Sequence, residues 1–124
     1  MYDINLERVT WEEYVYKTKN EHNQLLKLYI FREDGIWHVC FFIATKRKHG
    51  YQQYCQTGKG GLSSLIWAKN CILDWIADRT SKKIPGELRI YADDSRRMNI
   101  YKRYLIPKGF KLSFTREPYL YLKY

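Results

Sequence analysis

Hydrophobic and polar positions change period several times along the 124-residue chain, and each change marks an element. Residues 2–9, "YDINLERV", alternate weakly and predict an edge strand. "TWEE" follows with Thr10 and Glu13 at capping-box spacing, which predicts a short helix over 11–19, although "EYVYKT" inside that span also has strand character. "LLKLYIFRE" and "IWHVCFFIA" are β-rich runs on either side of "DG", the pattern of a tight hairpin. After the polar turn "KRKHG", "YQQYCQ" predicts a third strand of that meander.

A glycine-rich stretch, "TGKGG", then runs into a helix expected over 61–78. Leu62, Leu65, Ile66, Ile72, Leu73 and Ile76 lie broadly along one side of it, and Trp67, Cys71 and Trp75 add a row at i, i+4, i+8. A helix apolar over so much of its circumference is a central element. "TSKKIPG" reads as a loop and "ELRIYA" (87–92) as a strand, which makes a strand–helix–strand crossover. Asp94 or Ser95 can cap a helix over 96–105 that Pro107 and Gly109 end, and "FKLSF" and "YLYLKY" around "TREP" predict a last hairpin. The expected fold is therefore one domain over residues 1–124: an α/β chain with a mixed, mostly antiparallel sheet and one parallel βαβ crossover.

Composition narrows the chemistry. The apolar fraction of 45% and charged fraction of 28% exclude a disordered chain. Cys40, Cys55 and Cys71 are odd in number and lack C-x-x-C spacing, so they support neither a disulfide framework nor a zinc site, and all three are expected as buried thiols. There is no apolar signal core and no run of 18 apolar residues, so a cytoplasmic chain without a membrane partner is expected. A net charge of +9 suits a polyanion, whether nucleic acid, an acidic protein or a phosphate-rich cofactor.

The glycine stretch is the first candidate for chemistry. It lacks both G-x-x-x-x-G-K-[S/T] and G-x-G-x-x-G, so neither a nucleoside triphosphatase nor a classical dinucleotide fold is supported. Gly58, Gly60 and Gly61 would let a ligand approach the backbone, with the free N–H groups of a helix start behind them and Lys59 adding a charge. A plain turn that packs the helix closely on a strand accounts for the same glycines.

The order of meander, glycine loop, long helix, strand, helix ending in "KGF" and hairpin resembles the GNAT superfamily of acyl-CoA-dependent N-acyltransferases. "TGKGGL" is similar to that family's R/Q-x-x-G-x-G/A cofactor loop, with Thr57 at the position of Arg or Gln and Leu62 at that of Gly or Ala. "RIYADDSRRMNIYKRYLIPKGF" resembles its later strand and helix, with Tyr104 one residue further from Gly109 than the family spacing and Asn99 out of phase with the helix asparagine. The N-terminal region has room for one helix where the family usually has two.

The resemblance implies acetyl-CoA, or another acyl-CoA, as cofactor and a primary amine, small or on a protein, as acceptor. Its pyrophosphate would lie on Thr57, Gly58, Lys59, Gly60, Gly61, Leu62 and Ser63. Its pantetheine arm would lie like a strand beside "YQQYCQ", with the thioester at a gap between that segment and "ELRIYA". The family often uses a tyrosine of the last helix as general acid, which points to Tyr104 first and Tyr101, one turn earlier, second; a phenol with an ordinary pKa of about 10 suits a thiolate leaving group.

No carboxylate occurs between Asp34 and Asp74, so His38, His49, Glu12 or Glu13 of the N-terminal helix, or a water chain are the options for a base. Asp93 and Asp94 could contact a cationic acceptor or simply cap the helix. The other class of reading is a GNAT-like module without catalysis that binds nucleic acid or an acidic protein. Its basic residues lie at 46–49, 81–83, 96–97 and 102–103, and its aromatic sheet could stack on a single strand. Homodimerisation is left open.

Overall fold

A computed structural model describes residues 2–47, 50–54, 61–92 and 95–124. Eight strands and two helices follow in the order β1 (Leu6–Val9), β2 (Glu13–Lys19), β3 (Leu25–Glu33), β4 (Ile36–Arg47), β5 (Gly50–Tyr54), α1 (Gly61–Ser81), β6 (Glu87–Ile90), α2 (Ser95–Leu105), β7 (Lys111–Ser113) and β8 (Tyr119–Lys123). All eight strands join one mixed sheet, seven of them in the order β1-β2-β3-β4-β6-β8-β7, with β5 on β4 beside that path. The fold is α+β, as expected. No helix among the described residues is long and apolar enough to cross a membrane.

The helix expected over 11–19 is strand β2. Thr10 closes a turn instead of capping a helix: its N–H donates to the Glu13 carbonyl at 2.8 Å, and its hydroxyl accepts the Glu12 N–H at 3.3 Å. Tyr14, Val15 and Tyr16 then find more to bury in a strand, since all seven residues of β2 pair with β3. The β3–β4 hairpin forms as expected. Asp34 and Gly35 both take positive φ, 53° and 79°, as a two-residue turn matched to strand twist requires.

Alternation along the strands divides the sheet cleanly. Leu26, Leu28 and Ile30 of β3, Trp37, Val39, Phe41 and Ile43 of β4, Leu88 and Ile90 of β6 and Leu120 of β8 are buried on one face. Both helices contribute to that same core. The buried stripe of α1 is its tryptophan row, Trp67, Cys71 and Trp75, with Leu65, Ala68 and Ile72. Leu62, from the aliphatic side expected to be apolar, is exposed instead. Trp75 is fully buried, with its ring edge-on to Tyr14, Trp37 and Tyr124 at 5.3–6.0 Å.

α2 buries Met98, Tyr101 and Leu105 and ends in a single 3-10 turn, Ile106–Lys108. Gly109, at φ 102°, donates its N–H to Ile106 at 3.0 Å, and Phe110 donates to Leu105 at 3.2 Å. That pair of bonds is a Schellman stop, and it delivers the buried Phe110 to the core. The expectation for Asp94 lies outside the described residues.

Trp75→Ala would remove the ring that β2, β4 and the C-terminus share. A loss of about 3–5 kcal/mol is expected in urea unfolding followed by fluorescence and circular dichroism.

Candidate functional site

The only parallel pairing among the described strands is short: Trp37, His38 and Val39 of β4 against Leu88, Arg89 and Ile90 of β6. Further along the same edge of β4, β5 pairs with Ile43–Arg47. Between these stretches neither β5 nor β6 pairs with Phe41 or Phe42. The resemblance implies a pantetheine arm beside "YQQYCQ", with the thioester at a gap between that strand and "ELRIYA". In the structure both strands pair with β4. The break between the two ladders therefore falls at Phe41 and Phe42.

Phe41 turns inward at that notch. Its ring lies 6.1 Å from Trp67 of α1, centroid to centroid, and the Arg97 guanidinium of α2 sits 5.4 Å from its centroid. Arg97 is itself buried, at 4% exposure. Both helices thus meet the notch through one aromatic ring, and the charge they bring there is positive.

α1 begins at Gly61 with no acidic residue in its first turn. Its first N–H groups have no intrahelical partner, and the helix dipole makes this end favourable to an anion. Ser63 is exposed, while Ser64 is fully buried with its Oγ lacking a hydrogen-bond partner among the described residues. Thr57, Gly58, Lys59 and Gly60 lie outside the described residues, so of the expected phosphate-binding set only Gly61, Leu62 and Ser63 have a described position.

Beside this end of α1 is a cleft of about 330 Å³ lined by Tyr2, Glu21, Ser63, Ile66, Trp67 and Asn70. The Trp67 indole N–H donates to the Asp3 carbonyl at 2.9 Å and so fastens the N-terminal segment to α1. Asn20 shapes the β2–β3 turn: its Oδ1 accepts the N–H groups of His22 and Gln24, both at 3.0 Å. That turn holds Glu21 against Tyr2, whose hydroxyl donates to Glu21 Oε2. Burial, then the Glu21 carboxylate, raises the Tyr2 phenol, and the same hydrogen bond lowers the Glu21 carboxyl below its ordinary value. Sequence reading passed over both residues because they belong to no motif and meet only through the fold.

The other expected residues scatter. Tyr101 lies in the core at 2% exposure. Tyr104 is half-buried, with Lys69 Nζ of α1 5.3 Å from its ring centroid. Counted along α2 from Arg97, Tyr101 is about one turn on and Tyr104 about two. His38 is on the opposite face from Phe41, between the rings of Phe31 and Tyr91. Glu12 and Glu13 stand with β2, separated from β4 by the whole of β3, and Glu13 is paired with Arg8. His49, Asp93 and Asp94 lie outside the described residues. Of the cysteines, Cys71 is buried as expected, Cys40 is only half-buried, and Cys55 lies outside the described residues.

No protein-family model, curated protein or solved structure matches the chain.

A second titratable cluster joins β2 to α1, with Tyr16 and Cys71 buried and Asp74 exposed. The Tyr16 hydroxyl donates to Asp74 Oδ2 at 3.5 Å. Burial first, then the Asp74 charge, raises the Tyr16 phenol far above its ordinary value of 10.0, and the same causes raise the Cys71 thiol above 9.0. Both groups keep their protons in the folded state after the unfolded chain has released them. Their contribution to stability is therefore complete below about pH 9 and falls as pH rises past about 9 to 10, by up to about 1.4 kcal/mol per pH unit for each group. Urea midpoints measured from pH 7 to 11 should fall along that limb, and Tyr16→Phe should make the fall shallower.

Proposed function

We propose that the protein is an N-acyltransferase that takes its acyl group from acetyl-CoA or a related thioester and passes it to a primary amine. One observation carries the reading: β4 parts from β6 after Val39 and meets β5 only from Ile43, which leaves an edge at Phe41 and Phe42 beside the first turns of the central helix. The amides of a pantetheine arm can add to such an edge as a strand would. Support also comes from the acid-free first turn of α1, which suits the cofactor's pyrophosphate. The element order behind the resemblance to the GNAT superfamily is present, apart from the N-terminal helix that proved to be a strand.

On this reading the acyl carbonyl comes to rest near Phe41, and the amine enters from the Tyr2–Glu21 cleft on the other side of Trp67. Attack requires the amine to lose a proton, and Glu21 is the ionised carboxylate in that cleft. The departing CoA thiolate requires a proton in return. Tyr104, half-exposed on α2, is the donor we assign, with Tyr101 in second place.

Calorimetry with CoA should show saturable binding that weakens about tenfold in Lys59→Glu, as loss of a phosphate partner predicts. With acetyl-CoA and a panel of amines followed by mass spectrometry, Tyr104→Phe should lower kcat by about 100-fold or more and leave CoA affinity unchanged. A folded protein that takes up no CoA at millimolar concentration would end this reading.

A further inference from the structure

On the sheet face away from the helices Val15, Leu25 and Ala44 are buried toward one end, while aromatic and charged side chains remain partly or fully exposed across β3, β4, β6, β8 and β7. One register row crosses five strands of it: Phe31, His38, Arg89, Tyr121 and Lys111. Along this row the rings of Phe31 and His38 stack at 5.5 Å and 28°. His38 and Tyr91 stack at 6.3 Å and 23°, and Tyr91 meets Tyr119 at 5.1 Å. The Arg89 guanidinium lies 4.8 Å from the Tyr119 centroid. Tyr91 is 39% exposed, and Tyr119 and Tyr121 are half-exposed.

Charge selects what would cover this face. Its acids Glu7, Glu13 and Glu87 are each tied to a base, Lys17, Arg8 and Arg89 respectively. Lys27, Lys111 and Lys123 have no ion-pair partner among the described residues, against one unpaired acid, Glu33, at the hairpin end. A second copy of the chain would set one +9 molecule against another. A polyanion with its own flat rings would complement both the rows of rings and the loose lysines.

We propose that this open face binds single-stranded nucleic acid, with unpaired bases extending the Phe31–His38–Tyr91–Tyr119 stack and phosphates meeting Lys27, Lys111 and Lys123. A duplex offers the same phosphates but keeps its bases stacked on one another, so it gains only the charge contacts. The pleat separates this face from the notch at Phe41, and the binding is independent of acyl transfer.

Fluorescence anisotropy with dye-labelled single strands of about 15 nucleotides tests it, with DNA and RNA, purine and pyrimidine, and a duplex of equal length. The single strands are expected to bind at least about tenfold more tightly than the duplex. Tyr91→Ala and Tyr119→Ala should each weaken them about tenfold, and Tyr119→Phe should restore the affinity. Trp11→Ala, which removes an exposed ring at the β1–β2 turn, should change nothing. Lys27→Gln should flatten the salt dependence. Equal affinity for duplex and single strand, or tyrosine variants that bind like the parent, would overturn the proposal. So would a dimer in sedimentation equilibrium that Tyr91→Ala dissociates, with no strand binding, because a second copy would then own the face. CoA uptake, measured on the same preparations, reports on the notch separately.

Discussion

Three residues of parallel pairing hold this molecule together. Trp37–Val39 of β4 against Leu88–Ile90 of β6 is the junction between the N-terminal antiparallel strands and the C-terminal hairpin with β6. A parallel pair needs a crossover, and α1 supplies it with 21 residues. Once α1 is fixed across the sheet, its tryptophan row must be buried, and Trp75 does this by reaching β2, β4 and the C-terminal Tyr124 at once. The brevity of the pairing matters as much as its presence. Had it run the length of β4, β6 would close off Phe41 and Phe42.

Local chemistry was legible in the sequence wherever a few neighbouring residues decide the outcome. "DG" with its two positive φ angles set the hairpin, and Pro107 with Gly109 set the end of α2. The glycine in "KGF" has a physical reason of its own, because a Schellman stop needs a residue at positive φ and Phe110 needs a route to the core. That motif therefore speaks for the fold more strongly than for any reaction.

What sequence reading missed were decisions made at a distance. "TWEE" has the spacing of a helix cap, yet the seven residues after Glu12 gain a complete ladder on β3 by being a strand. "YQQYCQ" takes its expected place in the meander as β5 on β4, but nothing in "ELRIYA" says that β6 will dock on the same edge of β4 and take Trp37–Val39. Glu21 and Tyr2 come together across 19 residues through a turn organised by Asn20. Tyr104 and Tyr101 are the first and second choices of acid on one helix, and the sequence does not say how differently the fold buries them. Three residues of rotation put Tyr101 in the core and leave Tyr104 half in solvent.

The pleat divides the chemistry of the molecule as well as its core. On the helix side, Phe41 brings the notch against Trp67 and Arg97, and the first turns of both helices carry no acid. That side can hold an anion but is poor in bases, and Glu21 is the carboxylate that the fold returns to it. On the other side, His38 is one of a row of rings, and its neighbours Phe31 and Tyr91 surround it with π surface instead of a carboxylate partner. A histidine so placed is a stacking surface first. A net charge of +9 then has two separate outlets, a helix start suited to a compact pyrophosphate and an aromatic face suited to an extended strand. Because adjacent residues of β4 serve opposite faces, Phe41 at the notch and His38 in the row of rings share a strand but no side-chain surface.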